Sequence, residues 1–296
     1  MTLMQVEVQV DDVRMHGLID QSAGLRVIAS NFRFVEGPIW EPERKSLLFS
    51  DIIGDTLYRW SPAEGLYVVR QPSNMANGNT YDREGRLLTC EHATSRVVRT
   101  EADGTQTVVA SHYDGKQLNS PNDIVVRSDG LIYFTDPLAG RTAAYGIERE
   151  PELAFQGVYR VNPDTGEVTL LVRDFKLPNG LCFSPDERQL FVNDTMRGHI
   201  RVFDVLADGT LINGRLWTRV QGNGGGVPDG MKCDRSGNLY CTGPDGIHIF
   251  APDATPLGVI ALPEAPANFT WGGEDGRTLF VTAQTSVYAL QMQPAS

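Results

Sequence analysis

Residues 122–137 read NDIVVRSDGLIYFTDP. Two runs rich in Val, Ile, Tyr and Phe flank the turn 127–130 (RSDG), where Gly130 tolerates positive φ. That pattern is a β-hairpin. An amide, Asn122, opens the hairpin, and a carboxylate, Asp136, closes it 14 residues later.

The same grammar recurs along the chain. Six segments open on Glu36, Asn77, Asn122, Asn179, Asp229 and Asn268. Their closing positions are Asp51, Glu91, Asp136, Asp194, Gly243 and Ala283, at offsets of 15, 14, 14, 15, 14 and 15 residues. Glycine falls eight residues after the opener in four repeats, at Gly85, Gly130, Gly237 and Gly276, where a hairpin turn is required. Further β-rich pieces follow each hairpin, among them TLYRWSP, SRVVRTEA, GVYRVNP and HIRVFDV. Most repeats therefore hold four strands, and helical patterning is nearly absent. Openers recur every 41, 45, 57, 50 and 39 residues, which is the spacing of four-stranded blades. The expected fold is all-β, a six-bladed β-propeller.

The strand-like LRVIAS at 25–30 precedes the first opener. It is expected to complete the last blade beside TLFVTA and SVYALQM, closing the ring. Residues 1–24 then form an N-terminal extension, and residues 25–296 one propeller domain. Loss of residues 1–15 should be tolerated, and loss of 1–32 should not. The longest repeat carries an insert, LAGRTAAYGIEREPELAFQ at 138–156, between its second and third strands. It should project near the mouth of the central channel. The glycines of QGNGGGVPDG (221–230) lack the GxGxxG spacing, and no helix pattern follows, so no dinucleotide loop is read there.

Composition narrows the partners. The 296 residues are 41% hydrophobic and carry a net charge of −11. That balance disfavours nucleic acid and anionic membrane surfaces, which need a basic footprint. No apolar run has the length of a membrane span. The amino terminus shows neither a basic start nor an apolar h-region. Cys90, Cys182, Cys233 and Cys241 all sit in apolar strand segments without zinc spacing. They read as reduced, buried thiols, and the expected location is the cytoplasm.

If the openers share the inner strands of radial blades, Glu36, Asn122, Asn179 and Asp229 approach one another on the axis. Carboxylate and amide oxygens are hard donors, suited to one divalent ion: calcium first, with magnesium or manganese as alternatives, and zinc disfavoured without a histidine in the column. The closing carboxylates Asp51, Asp136 and Asp194 are expected in structural roles. No G-x-S-x-G elbow, HExxH or P-loop is present.

Five blocks carry a resemblance: FVEGPIW, TYDREGRLLTCEH, NSPNDIVVRSDGLIYFTDP, LPNGLCFSPDERQLFVNDT and VPDGMKCDRSGNLYCTGP. Together they resemble the gluconolactonase and senescence marker protein (regucalcin) family, in particular its bacterial gluconolactonase branch. The resemblance spans roughly residues 25–290. It implies a six-bladed propeller with one divalent metal in the channel, Zn2+ joining the ions that would serve. The ligands would be Glu36, Asn179 and Asp229, and Asn122 would touch metal or substrate. The implied reaction is hydrolysis of a sugar lactone to the aldonic acid, the metal acting as Lewis acid on the carbonyl. On that reading Asp229 is the candidate general base, Asn77 and Asn122 orient the substrate, and His92 binds hydroxyls or shuttles a proton. The arginine that contacts sugar hydroxyls in the animal branch has no counterpart in LNSPND. Two rivals use the same residues: a metal-dependent phosphotriesterase or aryl esterase, and a calcium-binding propeller without turnover.

Overall fold

The structure, a computed structural model, describes residues 3–20, 22 and 24–293. Among the described residues six antiparallel blade sheets follow one another along the chain, and a two-stranded hairpin, His112–Tyr113 with Lys116–Gln117, stands between the second and third. The first blade comprises Val35–Glu41, Ser46–Asp51, Thr56–Ser61 and Gly65–Arg70. The others begin on Ala76–Tyr81, Ile124–Val126, Pro178–Phe183, Met231–Cys233 and Pro266–Gly272. The repeat grammar is thus the blade grammar. Among the described residues no helix is long and apolar enough to cross a membrane.

Closure runs through Leu25–Ser30, which pairs antiparallel with Ser286–Gln291 in the last blade. The blades are mostly four-stranded, but two have a fifth strand. Leu3–Met4 adds to the edge of Leu25–Ser30, and Val8–Val10 adds to Pro256–Ile260 in the fifth blade. The amino-terminal extension therefore packs on the blades. Val6, Met15 and Ile19 are buried in one cluster with Leu257, Ile260 and Leu290. The expectation that residues 1–15 are dispensable is corrected by this packing. A fully buried side chain of this size contributes roughly 1.5–3 kcal/mol.

Two local devices bring the openers to the axis. The register of the inner strand slips beside the opener in four blades: Glu36/Ile39, Ala76/Asn79, Pro178/Leu181 and Pro266/Asn268. Such bulges re-aim a side chain out of the ordinary alternation. The glycine after the opener marks where the next blade arrives. A Cβ on Gly37 would overlap the carbonyl of Asn77, one on Gly78 that of Asn122, and one on Gly180 that of Asp229. Gly78 N–H also donates to Asn122 O at 2.9 Å. The Asn-Gly and Glu-Gly pairs are therefore close-approach sites between inner strands, not hairpin turns.

The closing carboxylates hold the chain as it enters each inner strand. Asp51 accepts from Phe34 N at 2.9 Å and Arg33 N at 3.1 Å. Asp136 accepts from Asn119 N and Ser120 N, both at 2.8 Å. Asp194 accepts from Lys176 N at 2.8 Å and Leu177 N at 3.2 Å. In each case the donors lie two or three residues before the opener. These backbone N–H groups lie outside the strands, those of Asn119 and Ser120 fully buried, and the carboxylate supplies each with an acceptor.

Candidate active site

A cavity of about 250 Å³ lies on the axis. Its polar floor is Glu36, Asn77, His92, Asn122, Asn179 and Asp229. All six residues singled out in the sequence are thus brought together, from five of the six blades or their adjoining loops. The rim is apolar and includes Phe34, Ile52, Tyr145, Leu177 and Val227. Tyr145 comes from the insert, which does border the cavity. Its ring meets Phe34 edge-on, with centroids 5.2 Å apart. Among the described residues no Lys or Arg lines the cavity. A larger open groove of about 1150 Å³ runs between the first and last blades over Trp40, Trp60 and Phe280, and shares no residue with it.

The floor is electrostatically unbalanced. Glu36 is 3% exposed, and its Oε2 accepts from Asn268 Nδ2 at 3.0 Å and from Gly37 N. Burial pushes its carboxyl up, and repulsion from Asp123 adds to this. Asp229 is pushed well above the usual carboxylate range by burial, then by Glu36 and Asp123, with the Asn179 amide opposing. Asp123 is raised by burial as well, with Lys232 opposing. Of these three, Glu36 and Asp229 line the cavity, and two desolvated carboxyls in one cavity favour a cation beside them.

The amides are oriented by their partners. Thr195 Oγ1 donates to Pro228 O at 2.6 Å, a carbonyl that can only accept. The hydroxyl oxygen is then free to accept, and Asn179 Nδ2 donates to it at 3.1 Å. That fixes Asn179 Oδ1 on the other side, buried and without a partner. A buried orphan oxygen of this kind suits a metal ligand. Asn122 is 6% exposed, and among the described residues no group bonds its side-chain amide. Among the described residues no three His, Cys, Asp or Glu side chains converge as a metal cluster. The candidate donors are instead two carboxylates and two amides, an all-oxygen set.

His92 is 1% exposed and both ring nitrogens have protein partners: Asn77 Nδ2 at 3.0 Å from Nε2, and Tyr145 O at 2.8 Å from Nδ1. Burial lowers its pKa to about 4, with the Tyr145 carbonyl opposing. In this arrangement both ring nitrogens are engaged by protein groups, and the ring lines the cavity beside Asn77.

Sequence reasoning passed over Asp123 and Thr195, and it named Asn268 as an opener without giving it a role at the site. For Asp123 a signal existed. Four openers are followed by glycine, and Asp123 stands in that place after Asn122. It bonds Ile124 N at 2.9 Å and reaches Leu181 N of the next blade at 3.4 Å.

A family model described as the SMP-30/gluconolactonase/LRE-like region matches residues 34–285. A gluconolactonase of Zymomonas mobilis is 33% identical, the match covering 93% of this chain and 83% of that protein. The solved gluconolactonase of Xanthomonas campestris superposes with a TM-score of 0.90 at 32% identity, covering 98% of this chain and 96% of the other. A diisopropyl-fluorophosphatase of Loligo vulgaris is 27% identical over 68% of this chain and 66% of its own length.

Proposed function

This chain belongs to the SMP-30/gluconolactonase/LRE-like family, and on that premise we propose that it is a lactone hydrolase acting on a sugar lactone of the gluconolactone type. The observation that carries the proposal is the convergence of Glu36, Asn122, Asn179 and Asp229 on one axial cavity. The cavity has room for one sugar ring, and among the described residues no Lys or Arg lines it to meet an anionic substituent.

We assign Glu36, Asn179 and Asp229, with Asn122, as the residues that would hold one divalent ion. Calcium suits separate carboxylate and amide oxygens best. When bound, such an ion supplies Lewis-acid polarisation of a carbonyl and electrostatic stabilisation of the oxyanion. The chain's own part is as follows. The Asp229 carboxylate takes a proton from the attacking water as the water oxygen bonds the lactone carbonyl carbon. The ring C–O bond then breaks, and the departing alkoxide takes that proton back, giving the hydroxy acid. Asn122 and Asn77 orient the ring hydroxyls. The Phe34, Ile52 and Tyr145 rim keeps bulk water off the reacting carbonyl. Four free cysteines, with Cys182 and Cys233 sulfurs 3.8 Å apart and unjoined, fit a reducing, cytoplasmic setting.

The test is lactone opening followed by acid release, with and without chelator and with calcium restored. Loss on chelation and recovery on calcium are expected. Asp229→Asn at saturating calcium should stay about 10²–10⁴-fold down if the carboxylate is the base. Recovery to the parent rate would leave Asp229 a ligand only. The likeness to a fluorophosphatase favours one second reading, phosphoester hydrolysis at the same site. Turnover of an organophosphate at a higher kcat/KM than gluconolactone would establish that instead.

A further inference from the structure

We infer that His92 is a positioning residue, fixed as the neutral Nδ1–H tautomer, which turns the Asn77 side-chain oxygen into the cavity to accept a hydrogen bond from a substrate hydroxyl. This deepens the lactonase reading and rests on it for the identity of the ligand.

The argument is one of donors and acceptors. Tyr145 O, 2.8 Å from His92 Nδ1, can only accept, so Nδ1 carries the hydrogen. In a neutral ring Nε2 is then a lone pair. Asn77 lies 3.0 Å from it and must present its NH2 there. Asn77 Oδ1 is left facing the cavity, and among the described residues no protein group donates to it. The backbone of Asn77 is pinned as well, since its carbonyl accepts from Ser50 Oγ at 2.7 Å and Asn79 Nδ2 at 2.9 Å. The stem of the amide is therefore fixed, and the His92 contact sets the direction of its end.

The charged ring would reverse this. An imidazolium would donate from Nε2, Asn77 would flip, and the cavity would see an NH2 instead of an oxygen. The surroundings oppose that charge. The ring is almost fully buried, Gly140 lies flush against it, and the Arg149 guanidinium bonds the His92 carbonyl at 2.6 Å. The same contacts tie the insert down, so one ring sets both the Asn77 acceptor on the floor and the Tyr145 wall. The predicted selectivity is for lactones that carry a hydroxyl donor.

Two measurements test this. ¹⁵N NMR of histidine-labelled protein at pH 7 should show one ring with Nδ1 protonated and Nε2 bare. An Nε2–H tautomer or an imidazolium at His92 overturns the assignment. The second is the ratio of kcat/KM for glucono-δ-lactone to that for δ-valerolactone, which has no hydroxyls. His92→Phe should lower the ratio about tenfold, the worth of one misplaced hydrogen bond, chiefly through KM. His92→Gln, whose amide oxygen can accept from Asn77, should restore part of it. An unchanged ratio in a folded His92→Phe variant sinks the proposal. If the parent protein opens neither lactone, the lactonase reading has failed, and the tautomer measurement still decides the role of His92.

Discussion

Glu36 of the first blade accepts a hydrogen bond from Asn268 of the sixth at 3.0 Å. The two lie 232 residues apart in sequence. Asn268 has no freedom in the matter: its Oδ1 accepts from Phe269 N at 2.9 Å, so only its NH2 remains to face Glu36. Closing the ring and orienting the first site carboxylate are therefore one event.

Replacing that amide tests the coupling. Asn268→Ala removes a donor that favours the ionised form of Glu36, so the carboxyl should rise further above its ordinary range. Calcium affinity at pH 7, measured calorimetrically, should weaken by about tenfold, and stability should fall by about 1–3 kcal/mol. Unchanged affinity would show that Glu36 is held by other means.

The amino-terminal segment should be structural in a graded way. Met15 is fully buried among fifth- and sixth-blade residues. Met15→Ala should cost about 2–5 kcal/mol in denaturant unfolding. Deleting residues 1–10 removes the two added strands and should lower Tm by several degrees. Deleting 1–32 removes the closing strand and should leave no cooperative transition. A Met15→Ala variant as stable as the parent would contradict this packing.

Asp136 illustrates the closing carboxylates. Asp136→Ala strips the acceptor from two buried N–H groups, those of Asn119 and Ser120. The expected loss is about 2–4 kcal/mol. Asp136→Asn keeps one oxygen and should recover roughly half. A loss below about 0.5 kcal/mol for the alanine variant would mean that water or a shifted loop satisfies both donors.

His92 gives a pH signature. Its folded pKa of about 4 lies below the ordinary 6.5, so the fold prefers the neutral ring. Its contribution is full above pH 6.5 and is lost as pH falls toward 4. The shift corresponds to about 3 kcal/mol. Urea unfolding across that window should show a steeper acid loss in the parent than in His92→Gln. Parallel curves would refute a buried neutral histidine.

What the sequence determined by itself was periodic: six hairpins, their openers, and the strand at 25–30 that closes the ring. Each depends on residues within about fifteen positions or on a repeat, and local chemistry writes such features directly. The openers could be placed in one column because blades are equivalent by rotation, so equal register means equal radius. What only the tertiary structure decided came from contacts between blades. The glycines after Glu36, Asn77 and Asn179 look like turn residues, and only the next blade's carbonyl explains them. Met15 and Ile19 carry no repeat signal, because their partners lie in the fifth and sixth blades. Asp123, Thr195 and Asn268 acquire roles through a single distant atom each. The orientation of an amide is the clearest case: which end of Asn77 or Asn179 faces the cavity is set by Tyr145 O through His92, and by Pro228 O through Thr195. Hydrogen-bond direction belongs to a pair of groups, and folding alone brings those pairs together.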